Sequence, residues 1–276
     1  MKSNRAWLVG FLGLALTVPA QAGLQDGLIA HYSFDGDADN KAGPAPNGVV
    51  SGATLAPDRF GHPNAAYAFD GNDDYVEVSN TAGVFNLTSA WTVACWVKPA
   101  SAATDGRDDP LVWKTAVGGD YNEDTFGVSW GAMTPYGPTG NRFFSYLERA
   151  SDGEDFGATS LTHPVGDWSH VVGTYDGNYL SVYVDGNQEQ TSDIGSIVAY
   201  TGPAPLRIGN FQNTSHIYGP SHIGAFDGVI DEVYIYSRAL TSTEVQDLYA
   251  IPEPATLCLL LMGIAGVFRG KRRATR

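Results

Sequence analysis

The sequence has little positive charge. It contains 16 lysine and arginine residues against 30 aspartate and glutamate residues, which gives a formal net charge of −14 at pH 7. Seven of the 16 basic residues lie at the two extreme ends, so the central part is more acidic still. Such a charge argues against binding to nucleic acid or to anionic membrane surfaces, and it favours solubility and an affinity for cations.

Cysteine is almost absent. The chain has Cys95 in its central part and Cys258 near its end. A single cysteine cannot form a disulfide within the central part, so stability there has to come from burial of apolar surface, with or without a bound metal.

Long apolar runs are also missing, and two short ones lie at the ends. At the start, Lys2 and Arg5 precede an apolar stretch from Ala6 to Val18, and the small-x-small sequence Ala20-Gln21-Ala22 follows. This order is typical of a secretory signal peptide. We therefore predict a signal peptide over residues 1–22 and a mature chain that begins at Gly23.

The second run extends from Ala255 to Phe268 and is 14 residues long. As a helix it would rise about 21 Å, against a hydrocarbon core of roughly 30 Å. The triplet Pro252, Glu253, Pro254 precedes it and an arginine-rich end follows, which would hold that end on the cytoplasmic side.

The order of these three features resembles the PEP-CTERM sorting signal of Gram-negative bacteria. The resemblance implies transient insertion of residues 251–276 in the inner membrane, processing by an exosortase, and delivery to the cell surface or extracellular matrix. A plain tail anchor and a buried C-terminal helix are the alternatives.

The remaining residues, 23–250, have the composition of short strands joined by turns. The whole chain has 33 glycines, 15 prolines and 12% aromatic residues, and helical periodicity is largely missing. The strongest strand runs from Trp91 to Val97, with Trp91, Val93 and Cys95 on one face, which we predict to be a core face. The sequence Thr241-Ser242-Thr243-Glu244 has the form of a capping box and predicts one short helix. Further strands are predicted at 28–34, 66–69, 75–78, 111–114, 126–130, 142–147, 168–175, 179–184, 206–208 and 229–236.

Several segments resemble the laminin-G-like, concanavalin A-like jelly rolls, and they occur in the order of that family. They read LIAHYSFDGDADN, AFDGNDDYVEV, WTVACWVKP, WSHVVGTYDGNYLSVYVDG, LRIGN and FDGVIDEVYIYSRALTSTEVQDLY. The resemblance covers most of residues 23–250 and implies an all-β fold, a concanavalin A-like antiparallel β-sandwich with one short C-terminal helix. Such motifs are mostly structural and bear on the fold more than on the function.

An acidic run follows the first predicted strand. Asp35, Asp37 and Asp39 offer hard oxygen ligands suited to Ca²⁺. The run is not an EF-hand, because Asn40 and Pro46 stand where glycine and a bidentate glutamate are needed. The family resemblance implies a structural Ca²⁺ shared between this loop and Asp231. The alternative is a solvated acidic turn and a buried capping aspartate.

Catalytic patterns are not found. No Glu-x-Asp-x-(x)-Glu run occurs, as it would in concanavalin A-like glucanases, and no nucleophile elbow is present. Asp152, Glu154 and Asp155 fit only as a loop cluster. We therefore predict that the chain is not an enzyme and has no catalytic residues.

Aromatic residues in or beside loops offer platforms for sugar rings, whose apolar C–H faces stack on aromatic side chains. The alternative for each is a role in the sandwich core. The leading hypothesis is an exported module that binds carbohydrate or mediates adhesion. A glycoside-processing enzyme and a purely structural matrix protein are the alternatives. The candidate glycan-binding residues are Trp96, Trp113, Tyr121, Trp130, Tyr136 and Tyr218.

Overall fold

A computed structural model describes residues 23–103, 108–115, 124–131, 140–211 and 225–252. The two end segments, with the predicted signal peptide and most of the predicted sorting segment, lie outside these ranges. Within the described ranges, no helix combines the length and apolar character needed to cross a membrane.

Fifteen strands and one helix make up the described fold. The strands are β1 (Leu28–Tyr32), β2 (Val49–Ser51), β3 (Thr54–Ala56), β4 (Ala66–Asp70), β5 (Tyr75–Val78), β6 (Trp91–Pro99), β7 (Asp109–Thr115), β8 (Asp124–Trp130), β9 (Arg142–Arg149), β10 (Glu154–Thr162), β11 (Ser169–Tyr175), β12 (Tyr179–Val184), β13 (Asn187–Asp193), β14 (Leu206–Ile208) and β15 (Asp227–Tyr236). The helix, α1, spans Ser242–Tyr249.

The strands form two antiparallel sheets. The first has the order β13-β12-β11-β6-β15-β4-β3, and β1 also pairs with β15. The second has the order β10-β9-β8-β7-β14-β5-β2. The predicted antiparallel β-sandwich with one short C-terminal helix is therefore confirmed.

Strand β6 shows how the sequence builds the interior. Trp91, Val93 and Cys95 are fully buried and belong to the main core cluster, as the alternation predicts. Ala94 points to the other face and packs in a second cluster with Val245 and Leu248 of α1. The first sheet is thus covered on one face by the second sheet and on the other by the helix.

Helix α1 begins at the predicted capping box. The side chain of Thr241 accepts a hydrogen bond from the backbone N–H of Glu244, and the Glu244 carboxylate accepts one from the backbone N–H of Thr241. Arg238 donates two hydrogen bonds to the same carboxylate, at 2.6 and 2.9 Å. These bonds, that to Arg238 above all, lower the pKa of Glu244 to about 2.

Removing the cap should measurably weaken the fold. We expect Thr241→Ala to lower the free energy of unfolding by about 1 kcal/mol, since it leaves a first-turn N–H without its side-chain acceptor. Urea unfolding followed by fluorescence measures the change. Thr243→Ala, at an exposed position of the same turn, is the matched control. An equal effect of both substitutions would contradict a specific capping role.

The strands that the sequence did not predict are β2, β3, β10 and β13, and all four lie at sheet edges. At the margins of the sandwich the facing layer covers few side chains, and β2 and β3 have at most one buried residue each, so apolar alternation is weak there. In β13 every residue is exposed or half-buried. The pattern that identifies a strand in the interior is therefore missing at the edges.

Candidate functional site

An open cavity of about 470 Å³ lies where helix α1 ends on the first sheet. We call it the Trp96 pocket. Its lining residues are Arg59, Phe60, Trp96, Trp168, Tyr249, Ala250, Ile251 and Pro252.

The aromatic residues of the Trp96 pocket are accessible to different degrees. Phe60 is 52% exposed and Tyr249 is 39% exposed, whereas Trp96 and Trp168 are half-buried. The rings of Trp96 and Tyr249 stack with centroids 5.5 Å apart and an interplanar angle of 25°. The pocket therefore exposes the rings of Phe60 and Tyr249 to solvent, and Tyr249 is supported by its stacking on Trp96.

Arg59 is the cation of this pocket. Its guanidinium carbon lies 4.4 Å from the centroid of the Trp96 ring and 4.7 Å from that of Phe60. Its Nη1 lies 3.7 Å from Oδ2 of Asp231, whose side chain is 1% exposed, while that of Arg59 is 8% exposed. Its Nη2 donates a hydrogen bond of 3.3 Å to the carbonyl of Ile251. Arg59 thus connects strand β15, the aromatic pocket and the last described residues of the chain.

A second cavity, of about 250 Å³, lies on the other side of Ile251 and Pro252, which line both cavities. Here His31 Nε2 lies 2.6 Å from the Glu232 carboxylate, to which Tyr234 donates a hydrogen bond of 2.8 Å. The His31 and Tyr234 rings are stacked at 4.0 Å.

Glu232 reaches this cavity through a local distortion of strand β15. Its φ is +50°, and the register of β15 against β6 shifts between Asp231 and Tyr234. A positive φ is costly for a residue other than glycine, and the hydrogen bonds of the Glu232 side chain help to hold it there. Ile230 and Val233 face the core, so the distortion places both intervening side chains on the outer face, Asp231 beside Arg59 and Glu232 beside His31.

An acidic cluster lies on the second sheet, away from both cavities. The register of β9 and β10 places Glu148 opposite Asp155, and the hydroxyl of Tyr146 lies within hydrogen-bond distance of both carboxyl groups. Burial, then the charges of Asp124 and Asp155, raises the pKa of Glu148 to about 8. Burial and then the charge of Asp155 raise the pKa of Asp124 to about 7. At neutral pH the cluster therefore holds protons that exposed carboxyl groups would release.

The same face of the second sheet carries an aromatic group. Trp113 stacks on Tyr146 with centroids 4.8 Å apart, and Phe211 contacts Trp113 edge-on at 5.0 Å. Trp113 and Tyr146 are each only 3% exposed. These rings form a small cluster of their own, with Phe144, outside the main core.

The predicted glycan-binding residues have different outcomes. Trp96 lies in the open pocket. Trp113 is buried beside the acidic cluster, and Trp130 is 1% exposed within the main core, where it packs on Phe143. Because a sugar needs an accessible ring, these two positions do not support the proposed role. The other three candidates, Tyr121, Tyr136 and Tyr218, lie outside the described residues.

The predicted calcium ligands do not converge. Asp37 pairs with Lys41 at 2.6 Å, and Asp231 lies beside Arg59. Within the described part of the chain, three carboxylates whose oxygens lie within 4.8 Å of one another are found at Asp70, Asp73 and Asp74, and this group includes none of the predicted ligands Asp35, Asp37, Asp39 and Asp231. Calcium binding stays a prediction.

The predicted acidic loop cluster is divided by the structure. Asp152 and Glu154 are exposed and pair with Arg149. Asp155 instead belongs to strand β10 and to the acidic cluster. The prediction placed it in a loop because β10 is an edge strand that carries no alternation signal.

The sequence did not point to Arg59, Phe60 and Tyr249 as site residues. They are far apart in the chain, and only the packing of α1 and of the segment before β4 onto the first sheet brings them together. Glu148 was missed for a related reason, since its partner lies on an unpredicted strand.

Comparison with protein families identifies the fold. The model of the concanavalin A-like lectin/glucanases superfamily matches residues 70–246, more than half of the chain. The chain belongs to this superfamily. A model of the PEP-CTERM protein-sorting motif matches residues 250–273, which implies an exported protein processed by an exosortase.

Solved structures with this superfamily fold include proteins studied with carbohydrate. Domain 4 of AbnA, an extracellular GH43 arabinanase from Geobacillus stearothermophilus, in complex with arabinotriose, is 20% identical, with a TM-score of 0.57 over 80% of this chain and 98% of that one. Botulinum neurotoxin type C, described as dependent on two ganglioside molecules for cell entry, is 11% identical, with a TM-score of 0.60 over 83% and 52%.

A Trypanosoma rangeli sialidase in complex with the inhibitor DANA is 17% identical, with a TM-score of 0.53 over 80% of this chain and 32% of that one. At these identities the likeness shows the fold alone. A search of curated proteins finds no match.

Proposed function

We propose that the chain is an exported, non-enzymatic carbohydrate-binding module of the bacterial surface or matrix, and that the Trp96 pocket holds the sugar. The observation that carries the proposal is the group of accessible aromatic side chains around one open cavity of about 470 Å³. Cavities of this size suit a small ligand, and aromatic rings bind the apolar faces of sugars. The similar folds of the arabinotriose-bound domain and of the ganglioside-dependent toxin support this proposal.

The polar groups of the pocket would orient the sugar. Arg59 is held in place by Asp231 and the two aromatic rings, so it can donate to a hydroxyl or carboxylate of the ligand with little loss of side-chain freedom. Phe60 and Tyr249 would provide the stacking surface.

Substitution of the exposed ring tests the proposal. We expect Phe60→Ala to weaken binding of the glycan selected on an array by about tenfold, because about 1.4 kcal/mol is a typical contribution of one aromatic contact at a binding site. Isothermal titration calorimetry measures the affinity. Since Phe60 is half exposed, the fold should be unaffected.

Tyr179→Ala is the matched control, because Tyr179 is 47% exposed and does not line the Trp96 pocket. Unchanged affinity in Phe60→Ala, or equal loss in both variants, would contradict the assignment of the pocket. The absence of any binding on a broad array would favour a purely structural matrix protein.

The acidic cluster supports a second candidate, glycoside hydrolysis. A carboxyl group that keeps its proton near neutral pH is suited to act as a general acid beside a second carboxylate. Glu148 and Asp155 provide such a pair, in which Glu148 is 1% exposed and Asp155 is half-buried, so a substrate would approach from the Asp155 side. Turnover of an oligosaccharide that disappears in Glu148→Gln and persists in Phe60→Ala would establish this candidate in place of the first.

A further inference from the structure

The described chain ends beside exposed aromatic residues. Helix α1 starts where the backbone N–H of Leu240 donates to Thr92 Oγ1, at 2.9 Å, and it ends where Tyr249 stacks on Trp96. The helix therefore runs along β6, and its C-terminal end lies beside Trp96.

The next two residues are held against the sandwich. The backbone N–H of Ile251 donates to the carbonyl of Leu248, and the Ile251 carbonyl accepts from Arg59, both at 3.3 Å. Ile251 also packs beside the cluster of α1 and the first sheet, which includes Leu24 near the start of the described chain. The last described residues, Ile251 and Pro252, are thus held beside the Trp96 pocket.

The apolar run starts only three residues later, at Ala255. Even a fully extended chain covers at most about 11 Å over three residues. If the apolar run enters a bilayer, the surface around Pro252 has to lie within that distance of the lipid. The aromatic residues at this surface include Phe60, Trp168 and Tyr249.

Aromatic side chains are favoured at the boundary between lipid and water, because their rings are apolar and their polar edges stay hydrated. We propose that this rim, formed by Phe60, Trp168 and Tyr249, docks on the phospholipid surface while the sorting segment is still attached. The proposal rests on insertion of that segment, and it concerns the pocket assigned above to carbohydrate. The bilayer would cover the pocket before processing, and cleavage would make it available to a glycan.

A fluorescent probe at the rim tests the docking. The full chain carries Cys258→Ser together with Phe60→Cys, so that position 60 has the reactive thiol. Cys95 is fully buried, and burial raises the pKa of its thiol, so it should not react with the label. The protein is labelled with an environment-sensitive fluorophore and reconstituted with phosphatidylcholine vesicles, with and without brominated acyl chains.

Val198→Cys provides the matched control. Val198 is 62% exposed. The backbone N–H of its neighbour Ile197 donates a hydrogen bond to the hydroxyl of Tyr175. Tyr175 lies opposite Trp91 in the sheet, at the end of β6 that is far from Trp96. We expect a blue shift and quenching by brominated lipid at position 60 and neither at position 198.

Co-flotation with vesicles but equal, water-like emission at both positions would overturn the docking proposal alone. Failure to co-float would overturn both membrane insertion and docking. Neither result affects the carbohydrate proposal, which is judged by the titration of Phe60→Ala in the released protein.

Discussion

Asp231→Ala is expected to lower the free energy of unfolding by about 3–5 kcal/mol, the loss typical of breaking a buried ion pair by removing one partner. Asp231 is 1% exposed, and the side chain of its partner Arg59 is 8% exposed. Without the carboxylate, the guanidinium stays in a poorly hydrated position and loses this buried anion. The backbone N–H of Glu232 also loses its acceptor, Asp231 Oδ1, at 2.8 Å.

An exposed pair between the same residue types provides the comparison. Arg238 lies 3.6 Å from Asp26, whose side chain is 84% exposed. We expect Asp26→Ala to change stability by less than about 1 kcal/mol, since solvent screens such a pair. Urea unfolding of both variants measures the difference. Similar small losses would mean that the Arg59–Asp231 pair does not organise the Trp96 pocket.

The double variant Asp231→Ala with Arg59→Leu separates the cause. If the loss of stability in Asp231→Ala comes from the unpaired buried charge of Arg59, removing that charge as well should restore part of the free energy of unfolding. Additive losses would indicate instead that each residue acts through its other contacts.

The second large effect is a fall in stability between pH 6.5 and 8. The folded-state pKa values of Glu148, raised to about 8, and Asp124, raised to about 7, mean that the folded chain binds more protons than the unfolded chain in this interval. Stability contributed by such retained protons decreases as pH rises, by about 1.4 kcal/mol per pH unit for each proton.

Other buried groups define the interval. Burial lowers the pKa of His170 to about 3, so that this imidazole binds fewer protons in the folded than in the unfolded chain between about pH 3 and 6.5, which opposes the fall in stability there. Burial lowers the pKa of Lys114 to about 8, which opposes the slope above pH 8. The acidic cluster should therefore dominate only between these limits.

Urea unfolding at half-unit steps from pH 6 to 8.5 measures the slope. Glu148→Gln removes one titrating group. It should make the slope of the unfolding free energy against pH less steep by at most about 1.4 kcal/mol per pH unit, the value for one proton. Glu154→Gln, an exposed glutamate six residues later in the chain, is the control and should leave the slope unchanged. A wild-type stability that is constant or rises over this interval would contradict the buried protonated cluster.

The interior of this protein could be predicted from sequence because its central strands carry both of the signals that identify a strand. In β6 the alternation of Trp91, Val93 and Cys95 gives the core face, and the capping box at Thr241 gives the start of the helix, as the structure confirms. The four edge strands carry weaker signals, because they lie at the margins of the sandwich, where fewer of their side chains are covered.

The candidate site was predictable only in part. Trp96 was identified because it lies on the face of β6 opposite the core. Its neighbours Arg59 and Tyr249 come from segments 37 residues before and 153 residues after it, and no local pattern records their contact. Trp130 was misjudged because an aromatic residue at a strand end can face either solvent or the core, and register decides between them.

The proposed sugar site is the Trp96 pocket at the end of helix α1, and not the face of the second sheet. A crystal structure of residues 23–252 grown with the oligosaccharide that binds best on the array tests it most directly. We expect the sugar ring to lie within van der Waals contact of Phe60 or Tyr249 and within hydrogen-bond distance of Arg59. A sugar bound beside Trp113 and Glu148, with the Trp96 pocket empty, would contradict the account.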